Sequence, residues 1–170
     1  MAEHTLTILK PDVAASGRQG AVLQRLLDEG FCVVAMRQAW LTRREAEAFY
    51  AVHRGRPFFK DLVAFMTSGP VVVPCLERED AVARLREVMG PTDSRKAPPE
   101  TIRGRFGTDV QNNAIHGSDS PENAAAEIAF FFTAAELAAA APEARAAPPQ
   151  APAVVAPRLG RPPRLRERGR

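Results

Sequence analysis

Apolar patterning runs from the N-terminus to about Leu137 and then stops, and that boundary limits what this 170-residue chain can fold into. Beyond it the sequence reads AAAAPEARAAPPQAPAVVAPRLGRPPRLRERGR, with 7 of the 15 prolines and no aromatic residue. Ordering such a segment would cost backbone entropy of about 1–2 kcal/mol per residue with little apolar burial to offset it, so residues 138–170 are predicted to be a disordered tail. Residues 1–137 are long enough to bury roughly 60% or more of their unfolded surface and are predicted to form one domain. The net charge of +3 hides a split along this boundary: the tail holds 7 basic and 2 acidic residues, and the remainder of the chain is net −2. The tail arginines, Arg158 to Arg170, could touch an anionic surface. No aromatic residues are interleaved for stacking, so nucleic-acid contact is not expected.

Several classes are excluded early. No apolar run approaches the ~20 residues that span a bilayer, and MAEHTLTILKPD lacks the basic-then-apolar pattern of a signal peptide, so a cytoplasmic protein without membrane contact is expected. Cys32 and Cys75 sit in apolar runs without Cys-x-x-Cys spacing, which predicts two buried thiols rather than a disulfide or zinc site.

The elements read as β-α-β-(αα)-β-α-β-α. His4 to Leu9 alternates as a strand. Val22, Leu23, Leu26 and Leu27 follow at helical spacing, stopped by Gly30. A strand from Phe31 to Leu41 comes next, and Thr42 with Glu45 forms a capping box for a short helix through Ala46, Phe49 and Tyr50. Phe58, Leu62, Phe65 and Met66 trace a helical face closed by Gly69-Pro70. Val71 to Leu76 is a third strand in which Pro74 is awkward, because proline donates nothing to a ladder. A helix from Asp80 to Met89 puts Ala81, Leu85 and Val88 on one face. Residues 91–112 read as a long loop, Ala114 to His116 as a short strand, and Ser120-Pro121 as the cap and first turn of a last helix. Two βαβ halves in this order predict an α+β, ferredoxin-like sandwich: a four-stranded antiparallel sheet with helices on one face.

Neither a Walker-type nor a dinucleotide-type glycine loop is present. One histidine has a site-like setting, Asn113-Ala114-Ile115-His116-Gly117-Ser118-Asp119, at a strand end before a helix; His4 and His53 read as surface or satisfied imidazoles. An unperturbed imidazole titrates near about 6.5, is mostly neutral at pH 7 and can act as a nucleophile. A carboxylate accepting the other ring N–H would aim it, and Glu127 or Asp119 could do this. Lys10, Arg86, Thr92 and Arg103 are the polar and cationic groups available to hold a phosphate, since phosphoryl transfer rests on positioning and charge stabilisation.

These residues carry a resemblance to the nucleoside-diphosphate kinase family. The signature Asn113 to Asp119 is joined by Lys10-Pro11-Asp12, Ala48-Phe49-Tyr50, Arg56-Pro57-Phe58-Phe59, Thr67-Ser68-Gly69-Pro70, Arg86 with Gly90 and Thr92, and Thr101-Ile102-Arg103-Gly104, in matching order over roughly residues 4–137. The resemblance implies a ping-pong enzyme in which ATP phosphorylates His116 and a nucleoside diphosphate collects the phosphoryl group. It also implies a homo-oligomer, tetramer or hexamer, and Mg²⁺ held by phosphate oxygens and water rather than by a protein cage. Carried over residue by residue, Lys10 contacts phosphate and ribose, and Tyr50 borders the phosphoryl position. Arg86, Thr92 and Arg103 hold phosphates, and Asn113 contacts the ribose. Phe58 and Val110 sandwich the base, while Ser118 and Glu127 support the imidazole. Ser94 and Glu100 depart from a proline and a glycine common in the family. A competing expectation, from another class, is a nucleotide-binding regulatory module docking through its basic tail, which would show as salt-sensitive binding lost on truncation after Leu137.

Overall fold

Four strands form one antiparallel sheet in the computed structural model, which describes residues 2–138. They are β1 (Glu3–Leu9), β2 (Cys32–Ala39), β3 (Val71–Arg78) and β4 (Ile115–Gly117), in the order β2-β3-β1-β4. The helices are α1 (Pro11–Ala15), α2 (Gln19–Asp28), α3 (Arg43–Phe49), α4 (Phe59–Met66), α5 (Ala81–Met89), α6 (Ile102–Phe106), α7 (Pro121–Phe131) and α8 (Ala134–Ala138). This is the ferredoxin-like α+β arrangement expected from the sequence. The tail expectation falls on residues outside those described, apart from Ala138, which ends α8.

Helices cover both faces of the sheet, which corrects the one-face expectation. Strand alternation separates the two sides. Leu6 and Ile8 of β1 and Val71, Val73 and Cys75 of β3 meet Ala46, Val63, Met66 and Ile128 from α3, α4 and α7. Leu9, Val72 and Leu76 point the other way, onto Val13, Val22, Leu26, Leu85 and Met89 from α1, α2 and α5. Two cores therefore share one sheet. Leu85 is fully buried, and its truncation to alanine would cost roughly 2–5 kcal/mol.

Local signals account for most of the element ends. Thr42 accepts from the Glu45 amide at 3.2 Å while the Glu45 carboxylate accepts from the Thr42 amide at 2.7 Å, completing the capping box. Ser120 accepts from the Asn123 amide at 3.1 Å and Pro121 opens α7. Pro74 lies in β3, an interior strand. Its pairs with β1 run from Glu3↔Arg78 to Leu6↔Cys75 and resume in the same register at Leu9↔Val72, so the ladder is broken at the residue with no N–H to give. On the other side Met36 still pairs with Pro74, next to a register shift between Val33 and Ala35. The β1–β3 pairing thus carries the proline without losing register.

Cys75 is buried, and burial, with the Glu77 charge adding, pushes its thiol up to about 11. Cys32 is exposed, contrary to expectation, because it starts edge strand β2. No helix among the described residues is long and apolar enough to cross a membrane.

Candidate functional site

The site is assembled where β1 ends and β4 begins. Lys10 follows β1 directly and caps α1, and its amide donates to the Ala114 carbonyl at 2.9 Å. Its ammonium donates to Asn113 Oδ1 at 2.6 Å, while Asn113 Nδ2 donates to the carbonyls of Thr92 at 3.0 Å and Val110 at 2.9 Å. One amide side chain thus ties the first strand, the long loop and the last strand together. With these partners, what Asn113 offers a ligand is the remaining lone pair of Oδ1.

His116 is the middle residue of β4, whose pairing with Ile8 and whose carbonyl bond from the Thr7 hydroxyl at 2.6 Å fix its backbone. Both Glu127 oxygens lie against its Nε2, at 3.1 and 3.0 Å. The Ser118 hydroxyl donates to Glu127 Oε2 at 2.7 Å and itself accepts from the Leu6 amide at 3.3 Å. An ionised carboxylate only accepts, so this polarity puts the ring proton on Nε2 and the free lone pair on Nδ1. Nδ1 has no hydrogen-bond partner among the described residues. Of the two carboxylates considered for this role, Glu127 takes it. Asp119 instead accepts from Asn123 Nδ2 at 2.6 Å, and that bond is the main cause holding its carboxyl below the usual range.

Aromatic rings fence the imidazole. Phe49 meets it edge-on with centroids 5.4 Å apart, and Tyr50 at 5.9 Å. Tyr50 is buried with its hydroxyl unpartnered among the described residues; burial, with the Glu127 charge adding, pushes its phenol well above the ordinary range. His53, read as an ordinary surface imidazole, stacks on Tyr50 at 6.3 Å and lines the same cavity.

That cavity has a volume of about 890 Å³. Of the residues read from the sequence, Lys10, Tyr50, Phe58, Arg86, Thr92, Arg103, Val110, Asn113, His116 and Glu127 all line it. Ser118 does not; it is fully buried behind Glu127. Residues missed by the sequence reading include Gln111, Asn123, Ala126 and Phe130. Asn123 and Phe130 stand four residues before and three after Glu127, so helical spacing from that carboxylate would have found these two, whereas Ala126, its immediate neighbour, has no such signal.

The cavity's electrostatics favour an anion. Burial, then repulsion from Arg103, lowers Lys10 to about 8, with Asp12 and Asp109 opposing more weakly. Burial, then Arg86, lowers Arg103 to about 10. Arg103 donates to the carbonyls of Gly90 at 2.9 Å and Ile115 at 3.0 Å, but its Nε is buried without a partner among the described residues. Cations drawn together against their own repulsion lose that penalty when a polyanion enters. Phe58 and Val110, 50% and 51% exposed, project from the wall as free apolar surfaces instead of joining either core. No group of three or more His, Cys, Asp or Glu placed to hold a metal occurs among the described residues.

A carboxylate-aimed imidazole facing clustered cations on a ferredoxin-like sheet defines a protein of the phosphate-handling class. The family described as nucleoside diphosphate kinase matches residues 3–137. A nucleoside diphosphate kinase of Sorangium cellulosum is 55% identical over 139 residues, covering 82% of this chain and 96% of that protein. One of Thiobacillus denitrificans is 53% identical over 135 residues, covering 79% and 95%. The solved structure of the Aquifex aeolicus enzyme superposes with a TM-score of 0.78 at 52% identity, covering 80% of this chain and 99% of that one. A Halobacterium salinarum nucleoside diphosphate kinase in complex with CDP gives 0.77 at 39% identity, covering 80% and 91%. The chain belongs to the nucleoside diphosphate kinase family, and it is a transferase that uses nucleotides.

Proposed function

We propose that the protein transfers the γ-phosphate of ATP to nucleoside diphosphates by a ping-pong sequence through a phosphohistidine at His116. In the first half, the Nδ1 lone pair attacks the γ-phosphorus, the bond to the β–γ bridging oxygen breaks, and ADP leaves with that electron pair. The ring becomes positive, and Glu127, accepting from Nε2–H, stabilises it. In the second half, a terminal β-phosphate oxygen of the acceptor attacks the same phosphorus and the P–N bond returns its electrons to Nδ1. The observation that carries this reading is the double contact of Glu127 with Nε2, which leaves Nδ1 as the available nucleophile.

The remaining residues position the nucleotide. Lys10, Arg86, Arg103 and Thr92 hold phosphates through charge-assisted bonds of about 1.5–3 kcal/mol each where the donor is ionised. Asn113 reaches a ribose hydroxyl with its spare lone pair. Phe58 and Val110 sandwich the base, and because every base has a π-face this contact does not select among them. Tyr50 borders the phosphoryl position, and Ser118 fixes Glu127. The donor set of the cavity suits Mg²⁺ arriving with the nucleotide, held by phosphate oxygens and water, where it supplies charge neutralisation. A cytoplasmic homo-oligomer, tetramer or hexamer, is part of the same proposal.

Incubation with γ-labelled ATP tests it. The expected product is a base-stable, acid-labile phosphoprotein with phosphorus on Nδ1 by ³¹P NMR, discharged by any nucleoside diphosphate. Label retained by the His116→Ala protein would overturn the mechanism.

A further inference from the structure

The backbone between Asn113 and His116 is bent in a way the phosphotransfer reading leaves unused. Ala114 has φ +67°, a left-handed conformation that L-residues avoid, and Ile115 N–H donates back to the Asn113 carbonyl at 2.7 Å. An i to i+2 bond around a positive φ is the rarer, strained form of γ-turn. Ala114 is fully buried, so neither of its peptide groups can turn to water for a partner.

Both groups are held instead by residues around the start of α1. The Ala114 carbonyl accepts from Lys10 N–H at 2.9 Å, and the Ala114 N–H donates to Asp12 Oδ2 at 3.0 Å. Asp12 is the acidic residue of the Lys10-Pro11-Asp12 run, and no step above employs it. Its Oδ1 is buried without a partner among the described residues. Pro11 at the first position of α1 sets the helix entry and hence the direction from which Asp12 approaches.

We infer that Asp12 is a positioning residue: its carboxylate clamps the strained turn at Ala114 and so fixes the spacing between Asn113, which holds Lys10, and His116, the nucleophile. The turn joins the phosphate-binding side of the site to its reacting atom. Without the clamp, Ala114 relaxes toward negative φ, and the lysine–asparagine pair and the imidazole lose their mutual register. The inference rests on the phosphohistidine reading for its kinetic consequence but not for its structural one.

Strain relief separates this role from the alternatives. Glycine adopts positive φ without penalty, so Ala114→Gly removes the strain that the clamp opposes and leaves only the unpaired N–H. Single-turnover phosphorylation by ATP is to be compared in wild type, Asp12→Ala, Asp12→Asn and the double variant Asp12→Ala/Ala114→Gly, each verified as folded by circular dichroism. The expected result is a fall of roughly ten- to a hundredfold for Asp12→Ala, as for loss of a hydrogen bond to a charged acceptor. Asp12→Asn keeps an acceptor oxygen and is expected to stay within about fivefold of wild type, since a neutral acceptor forms the weaker bond. The double variant is expected to recover the part of the loss that comes from strain, severalfold above Asp12→Ala. Asp12→Asn as slow as Asp12→Ala would assign the residue to the charge of Lys10 and overturn the proposal, and so would a double variant that recovers nothing or an Asp12→Ala protein at full rate. Hydrogen–deuterium exchange over residues 112–117 reads the clamp without catalysis: exchange accelerated in Asp12→Ala and protected in Asp12→Asn supports it, and unchanged exchange overturns it. If wild type itself takes no phosphate, the functional reading fails while this second measurement still decides the clamp.

Discussion

Glu127 meets Nε2 of His116 with both of its oxygens, at 3.1 and 3.0 Å, and is itself fixed by the Ser118 hydroxyl at 2.7 Å. A carboxylate held in this way fixes the tautomer and, in the proposed mechanism, stabilises the ring when it carries phosphate. Glu127→Ala is expected to slow phosphoenzyme formation roughly a hundredfold, within the range for a lost proton-handling partner. Glu127→Gln, which still accepts from Nε2–H, should lose less. Rapid-quench measurement of the first turnover checks both.

Burial and Arg103 lower Lys10 to about 8. Its charge is present below that pH and lost above it, so kcat/KM for nucleotide should decline as pH rises through about 8. This ratio reports the free enzyme, and phosphate bound beside the ammonium favours the charged form, so kcat should decline at higher pH. The stability sign is opposite. The unfolded chain binds the proton more tightly, so the penalty of burying the charge is fully present below about 8 and is relieved as pH rises toward the ordinary lysine value. Pre-steady-state kinetics on Lys10→Met should show this basic limb removed.

Phe58 is 50% exposed and serves as the cap residue of α4 without joining a core. Phe58→Ala should therefore weaken nucleotide binding by about 1–3 kcal/mol, to a similar degree for purines and pyrimidines. Melting should change little. Isothermal titration with four nucleoside diphosphates checks both statements, and a loss confined to one base would contradict the stacking role.

Gly104 packs against the chain at Pro98, where an added Cβ would lie 2.1 Å from the Pro98 carbonyl oxygen. Backbone cannot swing aside as a side chain can, so Gly104→Ala should displace α6 and with it Arg103. The expected outcome is a higher KM for every nucleotide together with a lower melting temperature, about 1–3 kcal/mol of destabilisation as for other overpacking changes. Urea unfolding alongside steady-state kinetics measures the two effects.

The features legible in the sequence were those with a short-range physical cause. The Thr42–Glu45 box, the Ser120-Pro121 start of α7 and the alternation of β1 each depend on neighbours a few residues away. What was not legible lay in distant partners or in segments too short to show a period. α1 and α6 are five residues each, too short for a hydrophobic period to emerge, and their position is set by Ala114 and by Thr101 and Pro98. The second helical layer was hidden because β3, buried on both faces, reads as a continuous apolar run instead of an alternating one. Cys32 reads as a core residue by composition, and only the strand order puts it on an edge. The cavity-lining set followed from the family resemblance more than from spacing: Phe58 taken alone resembles a core aromatic, and its exposure is a property of the fold.

Strand order has a bearing on how the enzyme comes into being. β1 lies between β3 and β4, and Lys10 waits for Asn113, 103 residues later in the chain. A polypeptide emerging from the ribosome as far as α5 can pair three strands, yet it lacks both His116 and Asn113 to complete the cleft. Assembly of the cleft is accordingly a late event of synthesis, because its two halves are supplied by opposite ends of the folded chain.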